Sequence, residues 1–489
     1  MAKQSLKEKA FTSFFWKLFE QGGSSVIQLV VQVVMARILS PEEFGLLAIM
    51  VVFVNIGNVF VQSGLNTAIV QASEADERDY STVFWMSLAI SLALYAGIFV
   101  TAPAVADFYR APAIVWPLRG LTVVLLINAY NATQEAIVAR NLEFEKTFRA
   151  TVLAALISGA GGIASAMAGV GIWALVVQQV LFQLVKSVVL AFQIPWKPRL
   201  VFDPVRARTL FGFGWKLLAS GLLDQGYQSL SDLIIGRVFT KTDLGYVTQG
   251  KRYPQALGLI LDGSIQPVVL SAVSRVQDDA ARVKALARRG LKTSTFFIVP
   301  VTTAFALVAR PLVLVLLGEK WLPSVPFLQM YCIIYMLLPI HTTNLQVLNG
   351  MGRSDLFLRL EVIKKTVGLV TLLFMAFVVG DLVGIVAGYI FVGVASTFIN
   401  AYPNKRVIGY SYLEQVRDIA PAFVLAAAAS ALAHTVSLTG LDGLLLVFVE
   451  ALAMAIAYLA LAWLFHVEEL SYLVSTLRAG RLGRTREGA

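Results

Sequence analysis

The chain is poor in the residues that most enzymes and secreted domains depend on. Of its 489 residues one is cysteine and three are histidine, and only 14% are charged. A lone thiol, Cys332, excludes an intrachain disulfide, and its apolar surroundings leave the redox compartment open. The sequence holds no metal-spaced His/Cys cluster, no phosphate-binding P-loop and no nucleophile elbow. Soluble domains carry charge on about a quarter of their residues. With 57% hydrophobic residues and a mean hydropathy of +0.73, a soluble globule could not bury its apolar surface. Apolar runs of about 20 residues recur instead, so the expected fold class is an all-α polytopic membrane protein.

About fourteen transmembrane spans are expected, and twelve of them form a duplication. Trp16-Lys17-Leu18 opens a run closed by Arg37 to Gly45, and Trp215-Lys216-Leu217 opens one closed by Arg237 to Gly245. Arg37 maps to Arg237, Gly45 to Gly245 and Asn66 to Gln266, all at an offset of 200. That period is too long for a solenoid unit and reads as duplication of a whole bundle. We therefore expect an N-lobe over 1–210 (spans 1 to 6), a C-lobe over 211–405 (spans 7 to 12), and a remainder, 406–489, with spans 13 and 14 and a basic tail. Met1 to Lys9 is polar and leads straight into a full-length span, so no cleavable signal peptide is expected.

The basic residues orient this bundle. Counting flanking turns with their loops, 26 of the 40 Lys/Arg fall on the side of the N-terminus, 7 on the other side and 7 within spans. The positive-inside rule then places both termini in the cytoplasm. The net charge of +10 is mostly topology and attraction to anionic membrane lipid, and calls for no nucleic acid. Arg275 to Lys292 reads as an amphipathic cytoplasmic linker between spans 8 and 9.

Polar residues inside the spans carry the functional signal. Lys17, Gln21, Ser24, Gln28 and Gln32 of the first span fall within a strip roughly 80° wide on one helix face. The second span carries Asn55, Asn58, Gln62 and Asn66 at similar steps. Their repeat mates are Lys216, Ser220, Asp224, Tyr227 and Ser231, then Lys251, Arg252, Gln255, Asp262 and Gln266. Such stripes cannot face lipid, so a central cavity between two six-helix lobes is expected. Each has a plainer explanation beside it. Lys17 and Lys216 lie one turn inside the boundary, where snorkelling accounts for them almost as well. Lys364 and Lys365, near Glu361, suit a local salt bridge, and Lys186 stands alone in its span. Lys251 and Arg252 lie deep enough that a cavity role outweighs pairing with Asp224 or Asp262. The amides serve equally as interhelical glue or as partners for sugar hydroxyls. His341 reads as a satisfied core histidine. Gly159-Ala-Gly161-Gly162 lies in a span and suits helix packing rather than dinucleotide binding. The external loops are too short for a catalytic domain, so no enzyme is expected.

The pattern Ala36-Arg37-Ile-Leu-Ser-Pro-Glu-Glu-Phe-Gly45, followed by Val61-Gln-Ser-Gly-Leu-Asn66, resembles the bacterial polysaccharide transporter family. These are Wzx-type flippases of the multidrug/oligosaccharidyl-lipid/polysaccharide superfamily. Leu317-Gly-Glu-Lys-Trp-Leu-Pro323 and Gly350-Met-Gly-Arg-Ser-Asp355 fit the same family, near its colanic-acid and succinoglycan exporters. The resemblance spans about residues 10–415. It implies two pseudo-symmetric lobes that alternate access and a substrate of oligosaccharide units on polyprenyl pyrophosphate. It also implies a bacterial inner-membrane location, in the service of polysaccharide polymerase and export machinery. Pyrophosphate would then meet Lys17, Lys216, Lys251, Arg252, Lys364 and Lys365. Sugars would meet Gln21, Gln28, Asn55, Asn58, Gln62, Asn66, Tyr227, Gln255 and Gln266. The family's cavity cation of the second span has no counterpart here. No cofactor is expected; a proton or sodium ion could couple through Glu20, Asp224 or Asp262. The rival readings are a multidrug/cation antiporter, for which Glu20 and Glu135 are the N-lobe carboxylates, and a non-transporting scaffold of a polysaccharide-synthesis complex.

Overall fold

The computed structural model describes residues 6–62, 69 and 76–471, apart from the side chains of 6–15, 17–19, 21, 213, 216, 259–262 and 264. The described residues are helical with no strand. In chain order the helices are α1 (Leu6–Ile38), α2 (Pro41–Gln62), α3 (Glu77–Phe108), α4 (Pro112–Asn141), α5 (Phe144–Met167), α6 (Ile172–Gln193), α7 (Pro204–Val238) and α8 (Lys241–Ser274). They continue with α9 (Ala280–Leu307), a short helix at Ala309–Leu316, α10 (Glu319–Gly350), α11 (Ser354–Val379), α12 (Leu382–Val407), α13 (Tyr412–Thr439) and α14 (Gly443–Leu464). Among the described residues eleven helices, α2 to α6 and α9 to α14, are long and apolar enough to cross a membrane. The other three, α1, α7 and α8, have 33, 35 and 34 residues and carry polar stripes. The protein is an all-α polytopic membrane protein, as its composition required.

Local chemistry sets the helix starts. Ser40 and Glu43 cap α2 reciprocally, the Ser40 amide donating to Glu43 Oε2 at 2.7 Å and the Glu43 amide to Ser40 Oγ at 3.3 Å. Thr240 and Asp243 repeat the device at α8, 200 positions on, with 3.2 and 3.1 Å bonds. Asp76 caps α3, accepting from the Asp79 amide at 3.0 Å and from Arg206 of α7 at 2.6 Å. The Asp79 amide and then the Arg206 guanidinium hold the Asp76 carboxyl below its usual range. α10 is interrupted at Leu337, two residues before Pro339, whose missing N–H cannot continue the ladder.

The chain forms two compact units, Met1–Thr248 and Gln249–Ala489. In the first, α5 packs on α1 and α6 through small residues. A Cβ on Gly159 would lie 2.4 Å from Val31, and one on Gly162 2.9 Å from Gln178. The starts of α2 and α8 cross still more closely. A Cβ on Gly45 would sit 1.7 Å from the Lys241 carbonyl oxygen, and one on Gly245 1.9 Å from that of Pro41. α7 packs on α2, with Gly236 against Ile49. The compact unit therefore takes in α7, which the sequence reading places at the start of the C-lobe.

In the second unit α9, α13 and α14 share a core of Phe296, Val299, Leu425, Ala429, Met454 and Tyr458. The stretch read as a linker is helical from Ala280 and continuous with α9. Three of its cations, one turn apart, pair with carboxylates: Lys284 with Glu414 (3.0 Å), Arg288 with Asp418 (2.6 Å), and Lys292 with Glu468 (2.7 Å) and Glu469 (2.9 Å). Leu445, Phe448, Leu452, Ile456, Leu459 and Trp463 of α14 are exposed. On a membrane-crossing helix such a face suits lipid.

Candidate functional site

In the first unit a polar track runs through α2, α4 and α6. Asn128 Nδ2 donates to Asn58 Oδ1 at 2.8 Å, and Asn131 Nδ2 lies 3.5 Å from Asn128 Oδ1 and 3.3 Å from Gln183 Oε1. One turn along, Lys186 Nζ pairs with Glu135 Oε1 at 2.6 Å, their side chains 14% and 35% exposed. Lys186, solitary in its span, is thus half of an ion pair between α4 and α6. α2 contributes Asn55, Asn58 and Gln62, all half-buried. On α1 the stripe divides. Gln32 is buried and donates to Gln178 Oε1 at 3.2 Å, Ser24 bonds back to the Glu20 carbonyl, and Gln28 is exposed. Glu20 is buried and accepts from Thr147 Oγ1 at 3.2 Å. On α7, Gln228 donates to Asp224 Oδ2 at 2.7 Å, Ser220 and Asp224 are exposed, and Tyr227 and Ser231 are half-buried.

The second unit carries its own polar groups. Lys251, Arg252 and Gln255 of α8 are half-buried, and Gln266 is exposed. Lys251 makes no ion pair among the described residues. Beside this group, Gln249 donates to Tyr253 Oη at 2.8 Å. On α11, Lys364 pairs with Glu361 at 2.5 Å, the local bridge that their spacing suggested, and Lys365 is half-buried. α10, α12 and α13 are joined by buried amides. Asn344 and Gln415 exchange hydrogen bonds of 2.8 and 2.9 Å, and Asn404 donates to Asn344 Oδ1 at 2.6 Å. His341 Nδ1 lies 3.2 Å from Asn400 Nδ2, a partnered core histidine.

Lys17, Gln21, Lys216, Asp262 and Asn66 lie outside the described side chains. Of the other sequence-selected residues, the structure brings Asn58 into a network and leaves Lys251, Arg252 and Gln255 together on α8. Sequence reasoning passed over Asn128, Asn131, Gln183 and the amide triad. Asn128, Asn131 and Glu135 are spaced by three and four along α4, so the same stripe test applied to that helix selects them. Gln183 and Lys186 give the matching spacing on α6. Within each unit these groups offer hydrogen-bond donors, acceptors and cations in helices otherwise made for lipid. Such an arrangement can solvate a polar, anionic molecule. Among the described residues it supplies no cluster able to hold a metal ion.

The chain is 24% identical over 339 residues to the succinoglycan biosynthesis transport protein of Rhizobium meliloti (strain 1021), covering 69% of each chain. It is 22% identical over 427 residues to a lipopolysaccharide biosynthesis protein of Escherichia coli (strain K12), covering 85% of each. The fold matches that of a lipid II flippase in its inward closed conformation with a TM-score of 0.74, over 94% of this chain and 99% of that one, at 13% identity. Residues 34–326 match the family described as "Polysaccharide biosynthesis protein". The chain, a multi-pass helical membrane protein with polar groups inside its spans, belongs to that polysaccharide biosynthesis protein family.

Proposed function

We propose that the protein is a flippase. It moves oligosaccharide units linked to polyprenyl pyrophosphate from the cytoplasmic to the outer leaflet of a bacterial inner membrane, for polysaccharide synthesis. The observation that carries this reading is the retention of cations and amides inside membrane helices of a polysaccharide biosynthesis family member. Removing a pyrophosphate from water into hydrocarbon costs on the order of tens of kcal/mol. Lys251 and Arg252 offset that cost at the phosphates, with Lys364 and Lys365 as further candidates, and Asn55, Asn58, Gln62, Tyr227 and Gln255 replace water around the sugars. The polyprenyl tail stays in lipid. The work is transport rather than covalent chemistry. The Lys186–Glu135 pair weighs against a cation antiporter, because that carboxylate already has its counter-ion.

The test is mass spectrometry of polyprenyl-linked oligosaccharides after depletion of the protein, beside a Lys251→Ala/Arg252→Ala double variant. A single complete repeat unit should accumulate on depletion and in the double variant. Accumulation on depletion alone would keep the flippase and remove these cations from its site. No accumulation in either would point to an antiporter or a scaffold.

A further inference from the structure

Glu450 is a carboxylate in the middle of a helix that is otherwise lipid-compatible, and no sequence stripe marks it. It lies two turns into α14 and is only 2% exposed. Its neighbour is His434, at the end of the main helical stretch of α13, with Nδ1 3.4 Å from Glu450 Oε1. The two side chains differ in access: His434 is 69% exposed and Glu450 3%. One side of the imidazole meets the buried carboxylate while the rest is exposed at the protein surface.

The surroundings contain little else that could carry the charge. α14 packs against α13, α9, the short helix Ala309–Leu316 and the turn Thr435–Thr439. From Phe296 to Leu307, α9 has no titratable residue, nor does that turn. The short helix has Arg310, which is exposed, and Asp442 precedes α14. The other ionisable groups of α13, namely Tyr412, Glu414, Arg417 and Asp418, are at its opposite end. On α14 itself Tyr458 donates to the Phe296 carbonyl at 3.1 Å. A buried carboxylate is costly unless it is paired or protonated. Intramembrane ionisable groups are therefore rare and mark functional positions.

We propose that Glu450 and His434 form a proton-binding site that fastens the α13–α14 hairpin. With one proton on the pair, the imidazolium Nδ1–H donates to the Glu450 carboxylate and holds the hairpin end closed. A second proton, entering from solvent, resides on a Glu450 oxygen. The carboxyl is then neutral, the positive charge stays on the exposed imidazole, and the attraction that closes the hairpin is lost. The site lies on the two helices outside the duplication, and the inference does not depend on what the protein transports.

The test is infrared difference spectroscopy of the full-length protein in lipid nanodiscs, titrated from about pH 8 to about pH 4, across the histidine and carboxylate ranges. The wild type should show a protonated-carboxyl stretch of low-polarity character that is absent in Glu450→Gln. His434→Gln should move its midpoint by at least about one pH unit, a tenfold change in proton affinity. A band that persists in Glu450→Gln, or a midpoint that His434→Gln leaves in place, would overturn the proposal. If Glu450→Gln does not accumulate as folded protein, the His434→Gln shift decides alone, because that side chain is mostly solvent-exposed.

Discussion

Single residues in this protein owe their roles to what faces them. Lys186 and Glu135 illustrate this: Lys186 is the one charged residue of α6 and Glu135 the one carboxylate of α4, and together they form a 2.6 Å pair. Removing one partner leaves the other uncompensated, which costs more than the pair itself contributes. We expect Lys186→Met to lower stability in detergent by about 2 kcal/mol, a value between exposed and fully buried pairs. The Lys186→Met/Glu135→Gln double variant should recover more than half of that loss. Chemical denaturation of the four forms checks this, and equal losses in the single and double variants would show that the pair is not coupled. The sequence located both charges but not their partnership, since α4 and α6 are joined only by tertiary packing. The amides of Asn344, Asn404 and Gln415 were hidden for the same reason.

At the scale of helices, small residues and caps fix how elements meet. Gly45 and Gly245 face carbonyl oxygens at distances where no Cβ fits. Gly45→Ala and Gly245→Ala should each lower the thermal midpoint markedly. Gly97→Ala, with nothing within 4 Å, should leave it unchanged or raise it, since alanine favours helix by up to about 1 kcal/mol. Thermal unfolding of the three variants in one detergent makes the comparison. The α3 cap adds a pH dependence. The folded Asp76 carboxyl is held below its unfolded range, so its contribution is present above the unfolded value, about pH 4, and is lost as pH falls through the folded value. Between pH 6 and 3, Asp76→Asn should therefore flatten the acid limb of stability, as followed by helical circular dichroism. An acid limb as steep as that of the wild type would count against this cap. The Ser40/Glu43 and Thr240/Asp243 caps rest on residues three apart and so are local in sequence, although they were not singled out from it. The Gly45–Gly245 crossing was not legible there, because a repeat shows that two glycines correspond but not that they touch.

For the molecule as a whole, charge asymmetry makes a claim about orientation. The expected fourteen spans put 26 basic residues on one side and 7 on the other, so both termini should lie in the cytoplasm. Green fluorescent protein fused at either end should fluoresce, and alkaline phosphatase at either end should stay inactive; the reverse pattern at one terminus would reject an even number of crossings. The sequence by itself determined that the chain is helical, lies in a membrane and keeps polar residues within its spans. Those properties follow from composition and short-range periodicity, because each transmembrane helix must satisfy its own backbone within one segment. Only the tertiary structure decided which polar groups meet: Asn58 with Asn128, Lys186 with Glu135, Glu450 with His434. It also decided that α7 packs with α2 in the first compact unit. The reason is physical. A helix's existence is set by residues three and four positions apart, whereas its partners are set by side chains that can be more than a hundred positions away.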